Sequence, residues 1–220
     1  MDSFIKVCGI QSVDEALGAT RAGANTIGLL MGITHVAEDK ITPATGREIV
    51  RALPRSIRTV MVTHLLDVDE IAAVASSTGV SAIQIHDELP VEGIAALRTR
   101  MPAIKLIKAV HVQGEDAIAH ARTLSGFADM LILDSRTKDR LGGTGLTHDW
   151  NLSRQIVASV DVPVILAGGL TPDNVESAIR HVNPAGIDAN SGLEHPDGSK
   201  DFQKIERFAA AGRTHLKNFE

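Results

Sequence analysis

The chain has 220 residues, a formal net charge of −5, 44% hydrophobic residues and only 3% aromatic ones, a composition that suits one large α/β domain with an aliphatic core. It has no basic stretch, no apolar run long enough to span a bilayer and no signal-peptide pattern, which argues against nucleic acid and membrane as partners. A single cysteine excludes an internal disulfide framework and points to a reducing, cytoplasmic setting.

Short apolar runs alternate with helical patterns from end to end, and they predict strands at 4–7, 26–30, 59–62, 82–85, 104–110, 130–133, 162–166 and 186–188. Helix starts lie between them. Ser12 with Glu15 and Asp67 with Glu70 form capping boxes, Thr42-Pro43 gives a cap followed by proline, and Asp149 caps the helix after the sixth strand. Thr171-Pro172 repeats the cap-plus-proline start, directly after Gly168-Gly169. The last helix opens near Phe202, with Ile205, Phe208 and Ala209 at helical spacing. Eight strand–helix units in one chain predict a (β/α)8 barrel, with residues 1–220 forming one domain. The rival, a doubly wound open sheet, lacks its glycine fingerprint after the first strand.

In such a barrel the strand C-termini supply the site, and here they end in Cys8, His35, His64, His86, His111 and Asp134, then two glycine turns. Gly168-Gly169 and the run Gly186 to Gly192 are suited to a phosphate, because glycine lets backbone N–H groups approach an anion closely. Asp134 ends an all-apolar strand, and a carboxylate there is costly unless paired or used. The loop after it runs into Gly142-Gly143-Thr144-Gly145, a flap or a flexible connection. By position alone Cys8 reads as a small buried hydrophobe. Lys105 and Lys108 read as edge or loop charges of the fifth strand.

Taken together, Lys6 to Ile10, Gln84-Ile85-His86, Leu133-Asp134, Gly142 to Gly145 with His148-Asp149-Trp150, Ile165 to Asn174 and Asp188 to Glu194 resemble the phosphoribosylanthranilate isomerase family of tryptophan biosynthesis. The resemblance implies an Amadori rearrangement of N-(5-phosphoribosyl)anthranilate, with no metal or organic cofactor. It implies Cys8 as general base and Asp134 as general acid. The phosphate site falls on Gly168, Gly169, Ser191 and Gly192, with Lys6, His86, Gly143, Gly145 and Asp188 as further substrate-binding positions. The implied partner is a small phosphosugar, acting on a monomer or homodimer. A thiolate base needs a lowered pKa, for which Lys6 and nearby helix N-termini are the candidate sources.

The chain departs from the family where the loop after the second strand usually carries Ser-Pro-Arg for the anthranilate carboxylate. Here the run Met31 to Lys40 places Asp39 at about the arginine's position, with Lys40 beside it. His64 and His111 also stand at atypical positions. With His35 they read as polar substrate contacts, while a metal held by His35 and His64 is the alternative. Two further readings stay open, a paralogue acting on a different phosphosugar and a non-catalytic phosphosugar-binding protein.

Overall fold

The computed structural model describes residues 3–34, 37–135 and 148–216. In chain order the elements are β1 (Phe4–Val7), α1 (Val13–Arg21), β2 (Thr26–Leu30), α2 (Pro43–Ala52), β3 (Arg58–Thr63), α3 (Val68–Thr78), β4 (Ala82–Ile85) and α4 (Val91–Arg100). There follow β5 (Lys105–His111), α5 (Asp116–Ser125), β6 (Met130–Asp134), α6 (Trp150–Ser159), β7 (Val164–Leu166), α7 (Val175–Val182), β8 (Gly186–Ala189) and α8 (Phe202–His215). Each strand pairs in parallel with its neighbours, and β1 meets β8 through Phe4↔Gly186 to Val7↔Ala189, which closes the barrel. The expected (β/α)8 architecture is the observed one.

Strand alternation sorts the apolar residues into two cores. Phe4, Cys8, Val60, Val62, Ile107, Ala109, Ile132 and Ile165 form the cluster inside the barrel. Ile5, Val7, Ile27, Leu29, Met61, Ile83, Leu106, Leu131 and Leu166 belong to the larger layer that includes the helices, where Ile205, Phe208 and Ala209 of α8 are buried.

The helix starts follow local chemistry. The Ser12 hydroxyl accepts the Glu15 N–H at 3.2 Å, while the Glu15 carboxylate accepts the Gln11 N–H at 2.8 Å. Thr42 accepts from Thr45 with Pro43 in the first helical position, Asp67 accepts from Glu70, and Asp149 accepts from Asn151. The helix after β7 departs from expectation and begins at Val175, not at Thr171-Pro172. Asn174 is the reason: its carboxamide accepts the Thr171 N–H at 2.8 Å and donates to the Gly169 carbonyl at 2.9 Å, so a separate turn forms first. β7 also starts two residues late, at Val164, because Pro163 has no N–H for the ladder and contributes only its carbonyl, to Leu131. Lys105 is an exposed charge paired with Asp129, as expected, but Lys108 is buried within β5 with its ammonium donating to the Ala109 carbonyl.

Phe208 is fully buried where α8 meets the barrel. Phe208→Ala should therefore cost about 3–5 kcal/mol in a denaturant titration without changing the slope.

Candidate active site

Two charges lie at the floor of the site, inside the barrel. Lys6 on β1 and Asp188 on β8 occupy paired register positions, and Lys6 Nζ donates to Asp188 Oδ2 at 2.7 Å with the lysine side chain fully enclosed. Burial alone would lower the Lys6 pKa, but Asp188, helped by Cys8, outweighs it and holds the ammonium above its ordinary value. Gly28 on β2 makes the room. A Cβ there would fall 2.8 Å from Cys8 Sγ and 2.9 Å from Lys6 Cε.

Cys8 follows β1 on the inward side, its N–H donating to the Ala189 carbonyl at 3.0 Å. Burial pushes its thiol up to about 11; Lys6 and Lys200 pull it down, and Asp188 and Asp39 push it further up. The Lys6 charge is already spent on Asp188. The expectation of a lowered thiol pKa is thus reversed: desolvation outweighs the nearby cations.

Asp134 closes β6. Its carboxylate is pushed up to about 6, chiefly by burial and further by Asp188, while a 2.7 Å hydrogen bond from the Ser135 N–H and the charge of Lys6 act the other way. His86, at the end of β4, places Nε2 3.6 Å from Asp134 Oδ2. Its tautomer follows from Gln84, whose Nε2 can only donate and lies 3.1 Å from His86 Nδ1. The remaining ring proton therefore sits on Nε2, facing the acid. Burial, then the neighbouring histidines and lysines, keep His86 well below its ordinary pKa and neutral.

His64 and His111 flank His86, with ring centroids 5.0 and 5.2 Å away, and His111 Nε2 donates to the His86 carbonyl at 3.1 Å. The strand ends of β3, β4 and β5 thus form one wall of imidazoles beside Asp134. His64 Nδ1 lies 3.8 Å from Asp87.

The two glycine turns also come together. Gly168 and Gly169 both take left-handed backbone, with φ of +78° and +67°. Any Cβ on Gly168 would fall 2.6 Å from the Ser135 N and 3.0 Å from Asp134 Oδ1, so this turn lies directly against the acid. Ser191–Leu193 forms a 3-10 turn after β8, and a side chain on Gly192 would collide with the Leu170 carbonyl of the first turn.

Cys8, Lys6, His64, His86, His111, Asp134, Gly168, Gly169, Asp188, Ser191 and Gly192 all lie at or near one end of the barrel, as expected. His35, Gly143, Gly145 and the glycine-rich flap fall outside the described residues. Among the described residues no group of three or more His, Cys, Asp or Glu is arranged to hold a metal ion. Asp39 is not aimed alone at the aglycone, because its carboxylate accepts the Asn190 Nδ2–H at 2.7 Å. Sequence reasoning passed over Ser135 and His148 as a brace for the acid. Ser135 Oγ lies 3.0 Å from His148 Nδ1, His148 Nε2 lies 2.6 Å from Ser153 Oγ, and burial takes His148 down to about 4. Only the serine directly after Asp134 hinted at it.

A sequence model of the family described as N-(5'phosphoribosyl)anthranilate (PRA) isomerase matches residues 5–211. The chain is 46% identical to N-(5'-phosphoribosyl)anthranilate isomerase 2 of Methanosarcina mazei, over 93% of this chain and 91% of the relative. It is 36% identical to the isomerase of Haloferax volcanii, over 96% and 93%. Among solved structures it resembles phosphoribosyl anthranilate isomerase of Thermotoga maritima with a TM-score of 0.86 and 31% identity, covering 97% of this chain and 100% of the other. A phosphoribosyl anthranilate isomerase in complex with reduced 1-(o-carboxyphenylamino)-1-deoxyribulose 5-phosphate superposes with a TM-score of 0.82 at 30% identity and the same coverage.

The raised Asp134 pKa has a measurable cost. A carboxylate at 3.8 when unfolded and about 6 when folded stabilises the native state only while protonated, so the penalty appears as pH rises from 4 through 6. Asp134→Asn should be no more stable than wild type at pH 4 and about 2–3 kcal/mol more stable at pH 8, read by thermal melts across pH. A stability difference independent of pH would place Asp134 in the ordinary carboxylate range.

Proposed function

The chain belongs to the N-(5'-phosphoribosyl)anthranilate isomerase family, and we propose that it performs the family reaction with Cys8 as general base and Asp134 as general acid. That reaction is the Amadori rearrangement of N-(5'-phosphoribosyl)anthranilate to 1-(2-carboxyphenylamino)-1-deoxyribulose 5-phosphate in tryptophan biosynthesis, an aldose–ketose isomerisation. It moves only protons, so acid–base side chains suffice. The observation that carries the assignment is the buried carboxyl of Asp134, which at about 6 retains its proton in a useful fraction near neutrality.

In this reading Asp134 protonates the ribose ring oxygen as the C1′–O bond breaks, and the nitrogen lone pair forms the iminium. Cys8, its thiol proton first lost to solvent, then takes the C2′ proton as a thiolate, giving the enaminol, which is protonated at C1′ and loses its hydroxyl proton to become the ketone. A thiol at about 11 is by itself a poor base. The iminium supplies the missing cation, since a positive charge beside a buried thiolate stabilises it strongly at low effective dielectric. His86, neutral with Nε2–H toward Asp134, steadies the carboxylate left after the first step. Gln84 Oε1 and Asp188 Oδ1 are buried acceptors with no hydrogen-bond partner among the described residues, and both suit sugar hydroxyls.

The phosphate is assigned to backbone N–H groups of the Gly168-Gly169 and Ser191-Gly192 turns. The wall formed by His64, His86 and His111 is assigned to substrate contact on the aglycone side, and His35 is proposed as a further substrate contact. Gly143 and Gly145 are proposed as further substrate-binding positions. Every residue named comes from one chain, so a monomer or a homodimer of complete barrels serves equally, with residues 1–220 as one domain. A reducing cytoplasm suits the free thiol.

Turnover is followed by loss of anthranilate fluorescence from the substrate. Cys8→Ser and Asp134→Asn should each lower kcat by about 10²–10⁴-fold while the reduced product analogue still binds. Full rate in Cys8→Ser would remove the thiolate from the mechanism. Gly169→Asp puts a charge into the proposed cradle and should abolish analogue binding in a folded protein, whereas wild-type affinity would place the phosphate elsewhere.

A further inference from the structure

Asp39 is where this chain departs most sharply from its family, and the structure gives it a specific set of partners. The loop after β2 returns to its strand through Leu30↔Lys40 and the Ile41 N–H on the Leu30 carbonyl. Just before that return, Asp39 Oδ2 accepts Asn190 Nδ2–H at 2.7 Å. Asn190 follows β8, and its Oδ1 accepts from Lys200 Nζ at 2.6 Å; the same ammonium donates to Glu194 Oε1 at 2.6 Å. The Lys200 side chain is fully enclosed. A carboxylate, an amide, an ammonium and a second carboxylate thus run in one line from the β2–α2 loop to the segment before α8. Each bond polarises the next, because the ammonium withdraws charge from the Asn190 carbonyl and strengthens the amide donor facing Asp39.

The line crosses over the end of β1. Gly9, immediately after Cys8, has left-handed backbone at φ +72°, and a Cβ on it would lie 2.8 Å from Asp39 Oδ2 and collide with the Asn190 carboxamide. The Asp39–Asn190 bond is therefore seated on the backbone that carries the thiol. We propose that Asp39 is a positioning residue for Cys8, acting through Asn190 and Lys200 to clamp the end of β1 between the β2–α2 and β8–α8 segments. The inference rests on Cys8 being the base. It explains why a carboxylate can stand on the aglycone side of the site: it is engaged by an amide and does not confront the substrate as a free charge.

The charged groups acting on the thiol are Lys6 from β1, Asp188 from β8, Asp39 from the β2–α2 loop and Lys200 from the segment before α8. Removing Asp39 therefore alters charge as well as geometry, and two variants separate them. Asp39→Asn keeps an acceptor for Asn190 but loses the charge; Asp39→Ala loses both. With one cysteine and no tyrosine in the chain, the alkaline rise in thiolate ultraviolet absorbance belongs to Cys8 alone.

Both variants should titrate Cys8 below the wild-type midpoint. Asp39→Asn should keep kcat on phosphoribosylanthranilate within about threefold of wild type. Asp39→Ala should lose about 10–100-fold in kcat with KM and affinity for the reduced product analogue near wild type, the pattern of a misplaced reacting group. Unchanged kcat and midpoint in Asp39→Ala, with Cys8→Ala inactive, would overturn the clamp and leave the base assignment standing. Equal kcat losses in both variants would also overturn it, since the acceptor would then not matter. Full activity in Cys8→Ala would remove the base assignment and the clamp with it. Should Asp39→Ala fail to fold, Asn190→Ala, which removes the donor that holds Asp39, should show the same kcat loss, and an unchanged kcat there overturns the proposal.

Discussion

Lys6 and Asp188 face each other across the seam where the first and last strands meet, 2.7 Å apart and shut away from solvent. A lone charge at that depth is prohibitively costly, and removing one partner of such a pair typically costs about 3–5 kcal/mol. The pair therefore constrains what surrounds it. Gly28 must stay small to admit the Lys6 stem, and the Cys8 thiol and the Asp134 carboxyl each respond to both charges. Asp188 pushes the Cys8 thiol and the Asp134 carboxyl up, Lys6 pulls both down, and burial decides the outcome, leaving the thiol near 11 and the carboxyl near 6.

The same economy of charge extends to the aglycone side. His86 is neutral with its tautomer set by Gln84, and His64 and His111 pack against it at ring-contact distance. Asp39, on the β2–α2 loop, is held by the Asn190 amide.

Much of this was legible in the sequence because the relevant signals are local. Hydrophobic runs of strand length located all eight strands, and Ser12, Thr42, Asp67 and Asp149 announced helix starts because each cap bonds an N–H only two or three residues away. Thr171-Pro172 misled because Asn174, three residues on, bonds back to Thr171 and Gly169 and delays the helix, a competition that a cap-plus-proline pattern does not reveal. Motif and position brought the strand-end residues together in the sequence reading, but not their ionisation. Lys6 next to Cys8 suggests an activated thiol until Asp188, 182 residues away in sequence, is seen to hold that lysine. Lys108 looked like a loop charge because a charged side chain in mid-strand has no local signature of burial. The Asp39–Asn190–Lys200 line joins segments separated by 151 and 10 residues, and no periodicity connects them.

The central claim is that burial of Cys8 outweighs the pull of nearby Lys6, itself paired with Asp188, and keeps the thiol protonated. Cys8 reports on this directly, because the chain has one cysteine and no tyrosine to obscure thiolate absorbance. The decisive measurement is an ultraviolet pH titration of the wild-type protein, with circular dichroism confirming that it stays folded. The midpoint should lie near 11, above the ordinary thiol value of 9.0. A midpoint at or below 9.0 would contradict it.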